Sequence, residues 1–243
     1  MILLLFKFSP IISRYNSNGG NYRGNSNGGY NRGGGGSGGG GGYPMQNDAY
    51  KKRDQSSNGE TLRPVNYDSI TVAPFRKNFY SPTDAAATRS PEEIASLYVK
   101  HEITTKGRDC PGPMTLFTEG GFPDYILDEI NKQGFVKPTA IQSQGMTVAL
   151  SGRNLVGIAK TGSGKTLAYV IPGLIHLKHQ PNVKSGEGPI VLILAPTREL
   201  AQQIQHVAND FGLRNKVGNT CIFGGAPKQP QMRDLAKGCE VSN

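Results

Sequence analysis

Ala159-Lys160-Thr161-Gly162-Ser163-Gly164-Lys165-Thr166 carries the strongest chemical signal in the chain. Its glycines let the backbone turn tightly, so that amide N–H groups of the loop and of a following helix start converge on negative charge. In that setting Lys165 would reach the β- and γ-phosphates of a nucleotide, and the Thr166 hydroxyl would ligate Mg²⁺. The general phosphate-loop pattern has glycine six residues before the lysine, and here that position is Ala159. The loop needs a strand before it and a helix after it. Asn154 to Ala159 reads as a short apolar strand and a helix is expected from Lys165, so both are present.

A second group lies upstream, where Gln142 stands 23 residues before Lys165. Gly134-Phe-Val-Lys-Pro-Thr-Ala-Ile-Gln142 places an aromatic, a helix start and an amide together. An amide both donates and accepts, as the edge of adenine requires. Taken alone, such a glutamine is more often an ordinary helix-surface residue.

The elements that must position these groups alternate. Pro123 to Lys132 and Thr139 to Leu150 read as amphipathic helices. Ile190 to Ala195 is a second strand, followed by a helix near Thr197. Asn219 to Phe223 is a third strand, ending in Gly224-Gly225. Strands alternating with helices predict an α/β fold with a parallel sheet that binds ligands at its carboxyl ends. Further upstream, Ser90-Pro-Glu-Glu93 predicts a capped helix from Pro91 to about Glu102.

These segments resemble the DEAD-box RNA helicases. GFVKPTAIQ resembles their Q motif and AKTGSGKT their motif I, alanine included. Ala195-Pro-Thr-Arg-Glu-Leu-Ala201 resembles motif Ia, and Gly224-Gly225 the GG motif after it. Pro74-Phe-Arg-Lys-Asn-Phe-Tyr80 and His101-Glu-Ile-Thr104 with Gly107-Arg-Asp109 resemble the N-terminal extension of the abundant nuclear subgroup. The resemblance implies an incomplete RecA-like domain over 117–243, with the Q motif at 115–143 and the ATP-binding motif at 159–166. A family-type extension would cover 62–116, and a disordered tail 1–61.

The resemblance also implies roles. Phe135 would stack on adenine, Gln142 would read its edge, and Phe117 would support that pocket. Residues 159–166 would bind ATP, with Thr166 on Mg²⁺. Pro196, Thr197, Arg198, Gly224 and Gly225 would line the groove for the RNA sugar-phosphate backbone. The implied activity is RNA-stimulated ATP hydrolysis with local duplex unwinding, in a protein of the nucleus or cytoplasm, the nucleus favoured by the subgroup alone. No DEAD sequence, SAT-like motif or second RecA-like domain is present in 1–243, so these residues alone are expected to lack turnover. The strand 154–159 is expected to have an unpaired edge, leaving 117–243 marginal, dimeric or insoluble. Two other readings fit parts of the pattern: another phosphate-loop ATPase, or a non-catalytic nucleotide- and RNA-binding fragment.

Composition sets the remaining bounds. Of 243 residues 33 are glycine, and 14 of these fall between 19 and 42 among Ser, Asn, Arg and Tyr. That texture lacks the apolar surface to offset backbone ordering. Its Arg32-Gly33-Gly34 triplet and tyrosines suit either RNA contact or a plain linker. The net charge of +9 is compatible with an anionic partner. Three scattered cysteines, Cys110, Cys221 and Cys239, suggest neither a disulfide framework nor zinc. A mean hydropathy of −0.43 without a long apolar run speaks against an integral membrane protein. Met1-Ile-Leu-Leu-Leu-Phe6 is too short to span a bilayer and lacks the order of a secretory signal, so it reads as a hydrophobic tail.

Overall fold

A computed structural model describes residues 2–6, 75–186, 189–212 and 216–242. All of them belong to one of the two units into which the chain divides, the one formed by 1–16 and 71–243. The glycine-rich segment expected to be disordered lies outside the described residues, apart from 2–6.

The elements run β1 (Ile2–Phe6), α1 (Asp84–Ala87), α2 (Pro91–Lys100), a 3₁₀ turn (Phe117–Gly120), α3 (Asp124–Lys132), α4 (Ala140–Leu150), β2 (Leu155–Ala159) and α5 (Lys165–Lys178). They continue with β3 (Val191–Leu192), α6 (Arg198–Gly212), β4 (Asn219–Thr220), α7 (Lys228–Ala236) and β5 (Val241–Ser242).

Helix α5 is the hub. Leu167 to Leu177 is buried without interruption, as expected of a helix that is apolar all round. It packs on α4 and α6. Ile126 and Ile130 of α3, Met146 and Leu150 of α4, Ile171 and Leu174 of α5, and Ile204 and Phe211 of α6 form one core with Met114, Phe117 and Val241.

Two sheets are present among the described residues. β3, β5 and β4 form a parallel sheet in that order, with β5 in the middle. Val241 pairs with both Val191 and Asn219, and Ser242 with both Leu192 and Thr220. β2 stands apart from these three and pairs antiparallel with β1, Ile2 opposite Ala159 and Phe6 opposite Leu155. One expectation therefore changes: the apolar tail at 2–6 is a strand rather than part of a disordered segment. The phosphate-loop strand has β1 on one edge and, among the described residues, no strand on the other. The second and third strands are also shorter than their apolar runs: Leu194 is 86% exposed, and Ile222 is exposed as well.

The segment before the core is fastened to it by named contacts. Phe79 N–H donates to the Leu150 carbonyl at 2.7 Å, and its ring stacks on His179 at 3.9 Å and meets His176 edge-on at 5.0 Å. Ser90 caps α2: its hydroxyl accepts from Glu93 N–H at 3.2 Å, and the Glu93 carboxylate accepts from Ser90 N–H at 2.7 Å. Arg89 donates to Pro113 O at 2.9 Å, Thr115 Oγ1 at 3.2 Å and Glu119 Oε1 at 2.6 Å. Burial pushes the Glu119 carboxyl up, but hydrogen bonds from Thr115 and the Arg89 guanidinium outweigh it and hold it below the usual carboxylate range.

All three cysteines are free, with Cys221 and Cys239 buried. Burial raises each thiol above its ordinary value, as expected of inert thiols.

Arg89 and Glu119 are both largely shielded from water. Arg89→Ala should therefore destabilise the fold by about 3 kcal/mol, since it strands a mostly buried carboxylate; urea unfolding measures this. His176 is 1% exposed, and burial is the main cause that lowers its pKa, the Pro172 carbonyl opposing it and His179 adding to it. The unfolded chain then binds the extra proton between the two pKa values, so stability is complete above the ordinary value of 6.5 and lost as pH falls below it. Thermal melts from pH 8 to pH 5 should show this slope, and His176→Phe should flatten it.

Candidate nucleotide and RNA site

The glycine at 164 is required by its surroundings. Its φ is +80°, and a Cβ there would lie 2.3 Å from Gln142 Nε2. Gly162, at φ +77°, has open space beside it. Together they turn the chain from β2 into the start of α5.

Lys165 opens α5 and is buried, at 8% exposure. Its Nζ donates to the carbonyl oxygen of Ala159 at 2.8 Å, to the Lys160 carbonyl, and to Ser163 Oγ at 3.4 Å. The ammonium thus sits over the loop at a helix N-terminus, among neutral acceptors. A cation and helix amides in one place form a site for anionic oxygen. Lys160, Thr161 and Gly162 are exposed, whereas Ser163, Gly164 and Thr166 are partly buried.

Helix α4 is tied to this loop. Gln142 is 3% exposed; its Oε1 accepts from Thr139 N–H at 3.0 Å and its Nε2 donates to the Gly164 carbonyl at 3.1 Å. Thr139 Oγ1 donates to the Ser163 carbonyl at 2.7 Å. Sequence reasoning gave Gln142 a base-reading role. The structure places it as a brace between the start of α4 and the phosphate loop, with Thr139 beside it as a second brace that reasoning missed. The signal was in the sequence, since Thr139 and Gln142 have the spacing of a capping box. Phe135 is 38% exposed, whereas Phe117 is 4% exposed and belongs to the core.

The second set of residues meets where α6 begins. Arg198 Nη2 donates to the Gly224 carbonyl at 2.7 Å, and its guanidinium lies 4.9 Å from the centre of the Phe223 ring. Gly225 has φ +81°, and a Cβ there would lie 2.7 Å from Arg198 Nη2. Thr197 Oγ1 accepts from Leu200 N–H at 3.2 Å and so caps the helix. Pro196, Thr197, Arg198, Gly224 and Gly225 are exposed. Phe223 and Gln231 were missed. Gln231 Oε1 accepts from Phe223 N–H at 3.0 Å, and its Nε2 donates to the Phe223 and Pro227 carbonyls, both at 3.3 Å. Nothing in a lone glutamine near two prolines signals that role.

Among the described residues no group of three or more His, Cys, Asp or Glu could hold a metal ion. Among them, too, no helix is long and apolar enough to cross a membrane.

The DEAD/DEAH box helicase family profile matches residues 139–242. The chain is 52% identical over 182 residues to the ATP-dependent RNA helicase DBP2 of Candida albicans, covering 75% of this chain and 32% of that protein. It is 53% identical over 180 residues to the ATP-dependent RNA helicase p62 of Drosophila melanogaster, covering 74% and 25%. It thus spans about a third of the length of such relatives. Among solved structures, the RNA-helicase Prp28 from Chaetomium thermophilum bound to ADP superposes with a TM-score of 0.59 at 36% identity, covering 64% of this chain and 38% of that one. The yeast splicing factor Prp28 gives the same TM-score at 31% identity. The fold is therefore RecA-like α/β. With half of its aligned residues shared and a common fold beneath them, this chain belongs to the DEAD-box helicase family.

Proposed function

We propose that residues 117–243 form the ATP-binding part of an ATP-dependent RNA helicase, and that Lys165 at the start of α5 carries the reading. A buried ammonium held only by neutral carbonyl and hydroxyl oxygens gains when phosphate oxygens replace them, because the attraction of two opposite charges, strengthened where water is excluded, is added to the hydrogen bonds. Thr166 would hold Mg²⁺, which when bound would supply positive charge to the β- and γ-phosphate oxygens. Phe135, the exposed aromatic, would stack on the base. The Gln142 amide has one lone pair and one N–H beyond those given to Thr139 and Gly164. These would meet the adenine edge and link base recognition to the phosphate loop.

Thr197 and Arg198 at the start of α6, with Gly224 and Gly225 facing them, would bind the RNA backbone. Their support is that the structure brings both segments together through the Arg198–Gly224 hydrogen bond. Duplex unwinding and a nuclear site of action belong to the proposal for the whole protein.

Binding of Mg²⁺–ATP to residues 1–243, followed by titration calorimetry, tests the nucleotide reading, and Lys165→Ala should abolish it. Gln142→Ala should weaken ATP by about 1–3 kcal/mol, the cost of one good amide interaction. GTP, already mismatched at its edge, should lose less. Equal losses would leave Gln142 as a brace of the loop alone. Residues 1–243 should bind ATP without RNA-stimulated turnover, as a phosphate-release assay would show.

A further inference from the structure

Gln142 ties α4 to the phosphate loop, and the residue after it is held from elsewhere. Met114 N–H donates to the Ser143 carbonyl at 3.0 Å, and the Ser143 hydroxyl donates to the Met114 carbonyl. The two residues thus exchange hydrogen bonds in both directions. One residue further along, Gln144 Nε2 donates to the Pro111 carbonyl at 2.8 Å. Met114, Ser143 and Gln144 are all buried, where a polar group that loses its partner is costly. Residues 111–114 therefore form a strap across the first turns of α4.

The strap is fixed in turn. Arg89 donates to the Pro113 carbonyl and to Thr115 Oγ1, on the two residues that flank Met114. The Glu119 carboxylate accepts from Thr115 N–H at 2.6 Å and from Thr115 Oγ1 at 2.7 Å, and it pairs with Arg89. Met114 therefore stands in a closed frame, and its carbonyl is the acceptor that Ser143 uses. The spare lone pair and N–H of the Gln142 amide move with the first turn of α4, whereas Lys165 belongs to α5.

On the base-reading role given to Gln142 above, we propose that Ser143 is a positioning residue for base selection. Clasped by Met114, it fixes how α4 presents the Gln142 amide to the edge of the base. Ser143 is buried, so it acts through Gln142 and not on the nucleotide. Hydrogen bonds weaken steeply when misaligned, so a small rotation of this turn costs the contacts to adenine. The phosphates, met by a charge on another helix, depend far less on that angle. Loss of the hydroxyl therefore blunts the choice between adenine and guanine while the phosphates stay held.

Titration calorimetry of Mg²⁺–ATP and Mg²⁺–GTP with the full chain tests it. Ser143→Ala should weaken ATP about three- to tenfold, the range of one lost hydrogen bond, and GTP by less than about twofold. In a Gln142→Ala background, Ser143→Ala should cost no further ATP affinity, because the two side chains act as one unit. Should Ser143→Ala fail to fold, Ser143→Cys, close in volume but a weak donor, takes its place with the same expectations at smaller size. A hydroxyl that only supported the fold would weaken both nucleotides alike and add to the Gln142→Ala loss. Either result, or unchanged ATP affinity, overturns the proposal. Gln142→Ala by itself separates this failure from that of the base reading. If it weakens ATP and GTP equally, the base reading falls and the proposal with it. If it is selective for ATP and Ser143→Ala is not, the proposal alone is overturned.

Discussion

Two hydrogen bonds set the distance between the start of α4 and the phosphate loop: Gln142 to the Gly164 carbonyl and Thr139 to the Ser163 carbonyl. Both acceptors belong to a tight turn whose backbone makes few bonds of its own, and an unpaired carbonyl buried there would be costly. The glycine at 164 follows from the same contact, since the amide occupies the space of a side chain. Once the start of α4 and the loop are joined, α4 and α5 lie against each other over their lengths. α5 then packs on α6, which in turn takes up α3, in one core that includes Phe117.

The loop's electrostatics depend on that joint. Lys165 is buried because it opens a helix already packed on α4 and α6, and its charge is met by carbonyl dipoles in place of carboxylates. A rigid brace on one side and a lightly held ammonium on the other make a loop that keeps its shape while its hydrogen-bond partners change. The region near Arg198 follows a similar design. Phe223 and the Gly224 carbonyl hold the guanidinium, and Gln231 holds Phe223, so that the turn after β4 is fixed from behind while Thr197 and Gly225 face solvent.

What could be read from sequence was whatever depended on local chemistry. The capped start at Ser90, the loop glycines, the helix from Lys165 and the α/β alternation each have a cause within a few residues. What escaped depended on partners far away. β5 is two residues long, and only pairing with β3 and β4 makes it a strand. α7 begins after Pro227 and contains Pro230, a pattern that reads as a loop. Phe223 gained a role because Arg198 lies across from it, and Gln142 showed its chemistry but not its partner. The apolar run at 2–6 gave the right character and no hint of where it would dock.

β2 shows how these two kinds of information combine. Its sequence demands burial, and its position is set by Leu155 against the core and by the loop that follows. Neither requirement specifies which strand should lie beside it. A parallel neighbour would need a crossover connection, whereas an antiparallel one needs only a free segment of matching length and apolar character. Ile2–Phe6 meets that requirement with five residues against five. The ladder satisfies backbone groups irrespective of side-chain identity, so the pairing is defined chiefly by register. Because Ile2 faces Ala159, any change in that register would move the strand end relative to the loop that Lys165 holds. Ala159, the residue opposite Ile2, also supplies a carbonyl to Lys165 Nζ, so the strand pairing and the phosphate loop meet at one backbone residue.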